Sequence, residues 1–272
     1  MEPGTISRRH LLIGAAGATG VVVAGAVGWS LVSDRVIGQL GLGPDPFIPN
    51  APEGVITVET VHSDARDADV QLFTAVPHGF GDGEGLPVVV VLHGASGRPS
   101  QYQEFGLGRF LTAAVEAGAA PFVLAGADGG ALRWEPQPSG DDPQRMVREE
   151  MPQWLEERGF DASRRAVWGW SMGGYGALRL AQDAPRWSRA TATFSPAVAV
   201  GDPVFADVDR LAGQSLGVWC GTEDPFVDAV RALVDALPES PVIASFSPGA
   251  HTRVYWNDQT LDAFGFLASS LE

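Results

Sequence analysis

Six consecutive apolar residues, Pro87-Val88-Val89-Val90-Val91-Leu92, form the clearest pattern in the chain. A β-branched run without a polar interruption suits a strand buried on both faces, as in a parallel sheet. Further strands are predicted over Val55–Val61, Val70–Val76, Phe122–Ala125, Arg165–Trp170, Thr191–Phe194, Leu216–Cys220 and Val242–Phe246. Helical spacing runs from about Tyr102 to Gly118, from Met146 to Arg158, and over Tyr175–Gln182, Val227–Leu237 and Gln259–Leu271. Strands alternating with helices predict an α/β domain with a mainly parallel central sheet and helices on both faces. The stretch between Phe194 and Leu216 is too short for a large cap domain. In such sheets the site lies beyond the carboxyl ends of the strands. Functional residues are therefore expected directly after strands.

One strand end carries a recognisable turn. The strand closing at Trp170 runs into Gly169-Trp170-Ser171-Met172-Gly173-Gly174-Tyr175-Gly176 and then into a helix. This is a G-x-S-x-G nucleophile elbow in its strand–turn–helix setting. The turn pushes Ser171 into a strained backbone conformation, glycines leave room for the crowded neighbours, and the helix amino end favours developing negative charge.

A nucleophilic serine needs a base, and the base needs an orienting acid. The chain order in this architecture is Ser, acid, His. The histidines are His10, His62, His78, His93 and His251, and His251 alone follows Ser171. It stands just past the last strand, in Ser247-Pro248-Gly249-Ala250-His251. The acid is expected after the strand ending at Cys220, where Gly221-Thr222-Glu223-Asp224-Pro225-Phe226 offers two carboxylates. Asp224, next to the proline that opens the following helix, is favoured, with Glu223 as the alternative. The oxyanion needs two N–H donors. The candidates are the amides of Met172, after the nucleophile, and Ala95, in the loop Leu92-His93-Gly94-Ala95-Ser96-Gly97. His93 precedes Ser171, so it is read as bracing its loop or lining the cleft. The loop 129–143, with Trp134, and Trp256 are expected to wall an open cleft.

The strand-end His93-Gly94, the Gly-Trp-Ser-Met-Gly-Gly-Tyr-Gly elbow, Gly-Thr-Glu-Asp-Pro-Phe and Gly-Ala-His-Thr together resemble the putative-esterase family. That family includes S-formylglutathione hydrolases, feruloyl esterases and mycolyltransferases. The likeness covers about residues 55–270 and implies an α/β-hydrolase fold with an eight-stranded sheet and a Ser–Asp/Glu–His triad. The implied activity is carboxylic ester hydrolysis on a small-molecule or lipid ester. Two alternatives are acyl transfer to a sugar or lipid hydroxyl and, less favoured, a non-catalytic binding protein on the same scaffold.

Composition changes the picture in three ways. The net charge is −15, and residues 1–33 hold two Arg and one Glu (+1), which leaves −16 on the rest. Such a body repels phosphate backbones and argues against nucleic acid as a partner. The lone cysteine, Cys220, rules out an internal disulfide and reads as a buried, inert thiol. No His/Cys/Asp cluster has metal-ligand spacing, so no metal or cofactor is expected; Asp141-Asp142 reads as a loop or helix cap rather than a calcium site.

The start of the chain carries a different signal. Ser7-Arg8-Arg9-His10 is followed by an apolar run, with no acid, Lys or Arg until Asp34. Paired arginines before such a run resemble a twin-arginine export signal, and Ala24-Gly25-Ala26 offers a cleavage site. The run 11–32 is also long enough to span a bilayer once, so membrane association through it is the alternative. The chain thus divides into a signal or anchor (1–33), a Gly/Pro-rich linker (34–53) and a catalytic domain (54–272). An exported location weighs against S-formylglutathione as the substrate, because that is a cytosolic task.

Overall fold

The structure is a computed structural model that describes residues 45–272. The expected signal or anchor and the first part of the linker lie outside the described residues. Among the described residues, no helix is long and apolar enough to cross a membrane.

Eight strands form one sheet: β1 (Ile56–Ser63), β2 (Ala68–Ala75), β3 (Pro87–Leu92), β4 (Val123–Ala127), β5 (Asp161–Trp170), β6 (Thr191–Phe194), β7 (Leu216–Gly221) and β8 (Ile243–Ser247). Their spatial order is β1-β2-β4-β3-β5-β6-β7-β8. β1 and β2 pair antiparallel, β2 joins β4 antiparallel, and the remaining neighbours are parallel. β3 is buried at every residue, as an apolar run in the sheet interior requires. This is the α/β-hydrolase architecture.

Five helical segments cover the sheet. They are α1 (Leu107–Glu116), α2 (a run of Pro143–Arg145, a π turn Met146–Glu150 and Met151–Glu156), α3 (Met172–Asp183), α4 (Val227–Ala236) and α5 (Arg253–Leu271). One face packs under α1 and α5 through Phe110, Leu111, Phe264 and Leu267. The other packs under α2, α3 and α4, where Met151, Leu155, Ala177, Leu178, Val230 and Leu233 bury. Between β6 and β7 stand only two short turns, Pro203–Ala206 and Val208–Leu211.

Several boundaries differ from the periodicity, each for a local reason. α1 begins at Leu107 rather than near Tyr102 because Gly106 turns left-handed at φ 77°. A side chain there would press on Ile48. α2 is broken because Pro152 has no N–H to give the Arg148 carbonyl. That carbonyl instead accepts from the Trp187 indole at 3.0 Å. α5 starts at Arg253, six residues before the predicted start, since Tyr255 and Asn257 are buried although the local pattern is polar. Asn257 donates its side-chain amide to the Phe47 carbonyl at 2.7 Å, and Phe47 meets Phe110 edge-on. Residues 45–53, Pro-rich and without regular structure, thus lie docked along α1 and α5.

Phe264 is fully buried between Phe122 and Trp168, with ring centroids 5.6 and 5.2 Å away. Phe264→Ala is expected to cost about 3–5 kcal/mol of unfolding free energy. Urea unfolding of both proteins measures it.

Candidate active site

The carboxyl ends of β3, β5, β6, β7 and β8 converge on one edge of the sheet. Ser171 follows β5 directly and caps α3 with φ 56° and ψ −121°, a backbone region that costs a non-glycine residue about 1–3 kcal/mol. Packing holds it there. A Cβ on Gly169 would overlap the Gly173 carbonyl, and one on Gly173 would overlap the Leu92 carbonyl at the end of β3. The two glycines let β3, β5 and α3 approach more closely than side chains permit. The Ser171 carbonyl is itself tied down, accepting from the amides of Tyr175 and Ala197.

Three of the predicted residues meet. His251 Nε2 lies 2.9 Å from Ser171 Oγ, and His251 Nδ1 lies 2.8 Å from Asp224 Oδ2. The Asp224 side chain is fully buried and its Oδ1 accepts from the Phe226 amide at 2.9 Å. A buried carboxylate accepts only, so Nδ1 carries the proton that it receives. Nε2 is then left as an acceptor facing the serine hydroxyl. The ring is also fixed from its sides: Phe226 and Trp256 stand edge-on to His251 with centroids 5.1 and 5.0 Å away. Glu223 is exposed, and its amide is engaged with the Gly249 carbonyl. Of the two carboxylates, Asp224 is the one bonded to the histidine.

The candidate oxyanion donors flank Ser171. Met172 is the first residue of α3, so its amide has no partner within the helix. Ala95 is exposed in the turn closed by the Gly97 amide on the Gly94 carbonyl. A Cβ on Gly94 would stand 3.3 Å from Ser171 Cβ, so this turn passes beside the serine.

Two expectations about the cleft need correction. His93 does not line it: the ring is buried, Nδ1 lies 2.8 Å from the Gly94 carbonyl and Nε2 accepts from the Gly129 amide at 3.0 Å. Nε2 also lies 3.5 Å from Asp128 Oδ1, and these contacts brace the β3 and β4 loops together. Trp134 does not line it either. Its ring is 1% exposed, fills the space that Gly129 and Gly176 leave by lacking side chains, and donates to the His93 carbonyl at 3.1 Å. Positive φ at Arg133 and Trp134 turns this indole inward. Trp256 is half-buried beside His251, at the site.

One residue here, Ser195, was not singled out by the sequence. Ser195, buried directly after β6 at φ 45°, accepts from the Trp256 indole at 3.1 Å and so fixes the ring that flanks His251. Its signal was its place at a strand end. Cys220 is buried, and burial together with the Asp224 charge pushes its thiol far above the ordinary range, which keeps it un-ionised. Asp142 accepts from the Arg145 amide as the α2 cap, and Asp141 pairs with Arg66. Among the described residues, no group of three His, Cys, Asp or Glu is arranged to hold a metal.

The family model described as Putative esterase matches residues 63–243, about two thirds of the chain. The chain belongs to that family. Membership makes this esterase a carboxylic ester hydrolase by class. No curated protein matches it. Solved structures share the fold at low identity. A ferulic acid esterase is 19% identical with a TM-score of 0.69, covering 82% of this chain and 100% of its own. The S-formylglutathione hydrolase of Agrobacterium tumefaciens is 18% identical with a TM-score of 0.68, covering 82% and 98%. The fluorophosphonate-binding serine hydrolase F of Staphylococcus aureus is 15% identical with a TM-score of 0.65, covering 80% and 99%.

Because the Gly173 contact is with backbone, it cannot be relieved by a rotamer change. Gly173→Ala is expected to destabilise this esterase by about 3 kcal/mol or more, at the upper end of overpacking costs. Thermal unfolding beside an exposed helical control, Gly265→Ala, checks it; a Cβ there meets nothing within 4 Å, so that midpoint is expected to hold or rise slightly.

Proposed function

We propose that the protein is an exported serine esterase working through a Ser171–His251–Asp224 triad and an acyl-enzyme. The observation that carries this reading is the unbroken hydrogen-bond chain from Asp224 through His251 to the strained Ser171. His251 Nε2 takes the Ser171 proton as Oγ attacks the ester carbonyl. The amides of Met172 and Ala95 hold the oxyanion, and Asp224 stabilises the imidazolium. As the tetrahedral intermediate collapses, His251 gives its proton to the departing alcohol. Water then enters with His251 as its base, and the acid leaves with Ser171 restored. The chain's own groups move every proton in this cycle.

Support for export comes from the paired Arg8 and Arg9 before the apolar run 11–32. Replacing both by Lys is expected to leave the full chain unprocessed in the cytoplasm of a host with twin-arginine transport, whereas the unaltered chain appears in the envelope or medium. Cell fractionation reads the difference.

Hydrolysis of 4-nitrophenyl esters from acetyl to palmitoyl tests the chemistry. Ser171→Ala is expected to lower kcat about ten-thousandfold or more, and Asp224→Asn by a similar factor because the imidazole loses its fixed tautomer. Glu223→Gln is expected to stay within about twofold of the parent, since an exposed charge that makes no bond to the histidine is screened by water. Activity that survives Ser171→Ala would remove the proposed nucleophile. Turnover seen only when a sugar or lipid alcohol is supplied would convert the reading to acyl transfer.

A further inference from the structure

Most arginines of this acidic chain are matched with carboxylates or carbonyls. Among the described arginines that reach neither, Arg98, Arg186 and Arg231 are exposed to water, whereas Arg253 is half-buried. Its Nε is fully buried and has no hydrogen-bond partner. No carboxylate oxygen lies within 4.0 Å of its guanidinium among the described residues; the nearby acid that acts on it electrostatically is Glu104, which is exposed. The guanidinium stands over the Phe105 ring, with Cζ 4.0 Å from the centroid. Placing an unmatched cation in a half-buried position is costly unless something balances it. Its position adds to that cost, because Arg253 opens α5, where the helix dipole is positive and the first turn holds no acid.

This cation borders the site. Arg253 follows His251 by two residues. Phe105, beneath the guanidinium, packs edge-on against Trp170 with centroids 6.3 Å apart. Trp170 directly precedes Ser171, and its indole flanks the Gly94 turn beside the serine. Phe105 alone thus separates the guanidinium from Trp170, the neighbour of the serine, and Thr252 alone separates Arg253 from His251 along the chain. Contact with Phe105 holds the group in place, and the Nη groups, unlike the buried Nε, are left to meet a ligand.

We propose that Arg253 is a specificity-determining residue that binds an anionic group, a carboxylate or phosphate, carried by the ester substrate. The proposal rests on the serine-esterase reading and narrows it from esters in general to charged ones. The anion replaces the partner that the protein leaves out, so the guanidinium is already oriented and already partly desolvated when substrate arrives. A neutral ester leaves the cation unmatched and gains nothing from it.

Two matched pairs of substrates test this and locate the charge. Mono-4-nitrophenyl glutarate against 4-nitrophenyl valerate puts the charge on the acyl side. The acetyl ester of 4-hydroxybenzoate against that of 4-hydroxybenzamide puts it on the alcohol side. One pair is expected to show about a tenfold or larger preference in kcat/KM for the anionic member, as a charge-assisted contact supplies. Arg253→Met, which keeps contact with Phe105 through its thioether, is expected to remove that preference while leaving kcat/KM on the neutral member within about threefold. Arg253→Lys is expected to restore part of it. Glu104→Gln, which removes the competing negative charge, is expected to raise it.

Equal treatment of both pairs by the parent, or a preference that Arg253→Met retains, overturns the proposal while leaving the triad standing. If the parent hydrolyses none of the four esters, the esterase reading itself fails, and binding decides for Arg253. Glutarate titrated into Ser171→Ala should then change tryptophan fluorescence saturably, and Arg253→Met should abolish the change. No saturable change, or one that Arg253→Met retains, counts against an anion site.

Discussion

The close approach of Gly173 to the Leu92 carbonyl is the contact on which the rest of the site depends. It sets the separation between α3 and the end of β3, and with Gly169 it holds the tight turn in which Ser171 takes the strained φ of 56°. The strain is local, but the restoring force is spread over the sheet. β3 pairs with β5 from Val88 to Leu92, and Trp168 of β5 packs edge-on against Phe194 of β6 on the buried face. A turn held this way keeps its hydroxyl pointed outward without relying on flexible side chains, which is the preorganisation that nucleophilic catalysis needs.

A second constraint fixes the histidine. Asp224 determines which nitrogen bears the proton, while Phe226 and Trp256 determine the plane of the ring. Trp256 is in turn pinned by Ser195, at the end of β6. Thus β5, β6, β7 and β8 each contribute at their carboxyl ends, and parallel pairing is what brings those ends together. The braces behind this layer are buried rings. His93 and Trp134 lock the β3 and β4 loops from beneath and have no free polar edge for substrate.

The order of strands and helices was legible because buried parallel strands leave uncharged runs rich in β-branched residues; Pro87–Leu92 and Thr191–Phe194 coincide with β3 and β6. The position of the serine, histidine and acid was legible because chain order and strand ends restrict the choices so severely. Contacts across the chain were not. Nothing local to Trp134 reveals that Gly129 and Gly176 make room for its ring. A loop tryptophan near a site therefore looked like a cleft wall when it is a core plug. The early start of α5 was hidden by Asn257, whose polar side chain is buried only because Phe47, some two hundred residues away, supplies a carbonyl. Arg253 likewise reads as ordinary surface charge until the absence of a matching acid is seen in three dimensions.

The measurement that tests the account most directly is covalent labelling of the protein with a fluorophosphonate, followed by intact mass and peptide mapping. Phosphonylation needs a serine whose hydroxyl is both exposed and deprotonated by a correctly held imidazole. A Ser171 nucleophile activated by His251 gives a single adduct, on Ser171, that forms quickly in the parent and at a greatly reduced rate in His251→Ala. An adduct on another residue, or labelling of Ser171 that is indifferent to His251, would contradict it.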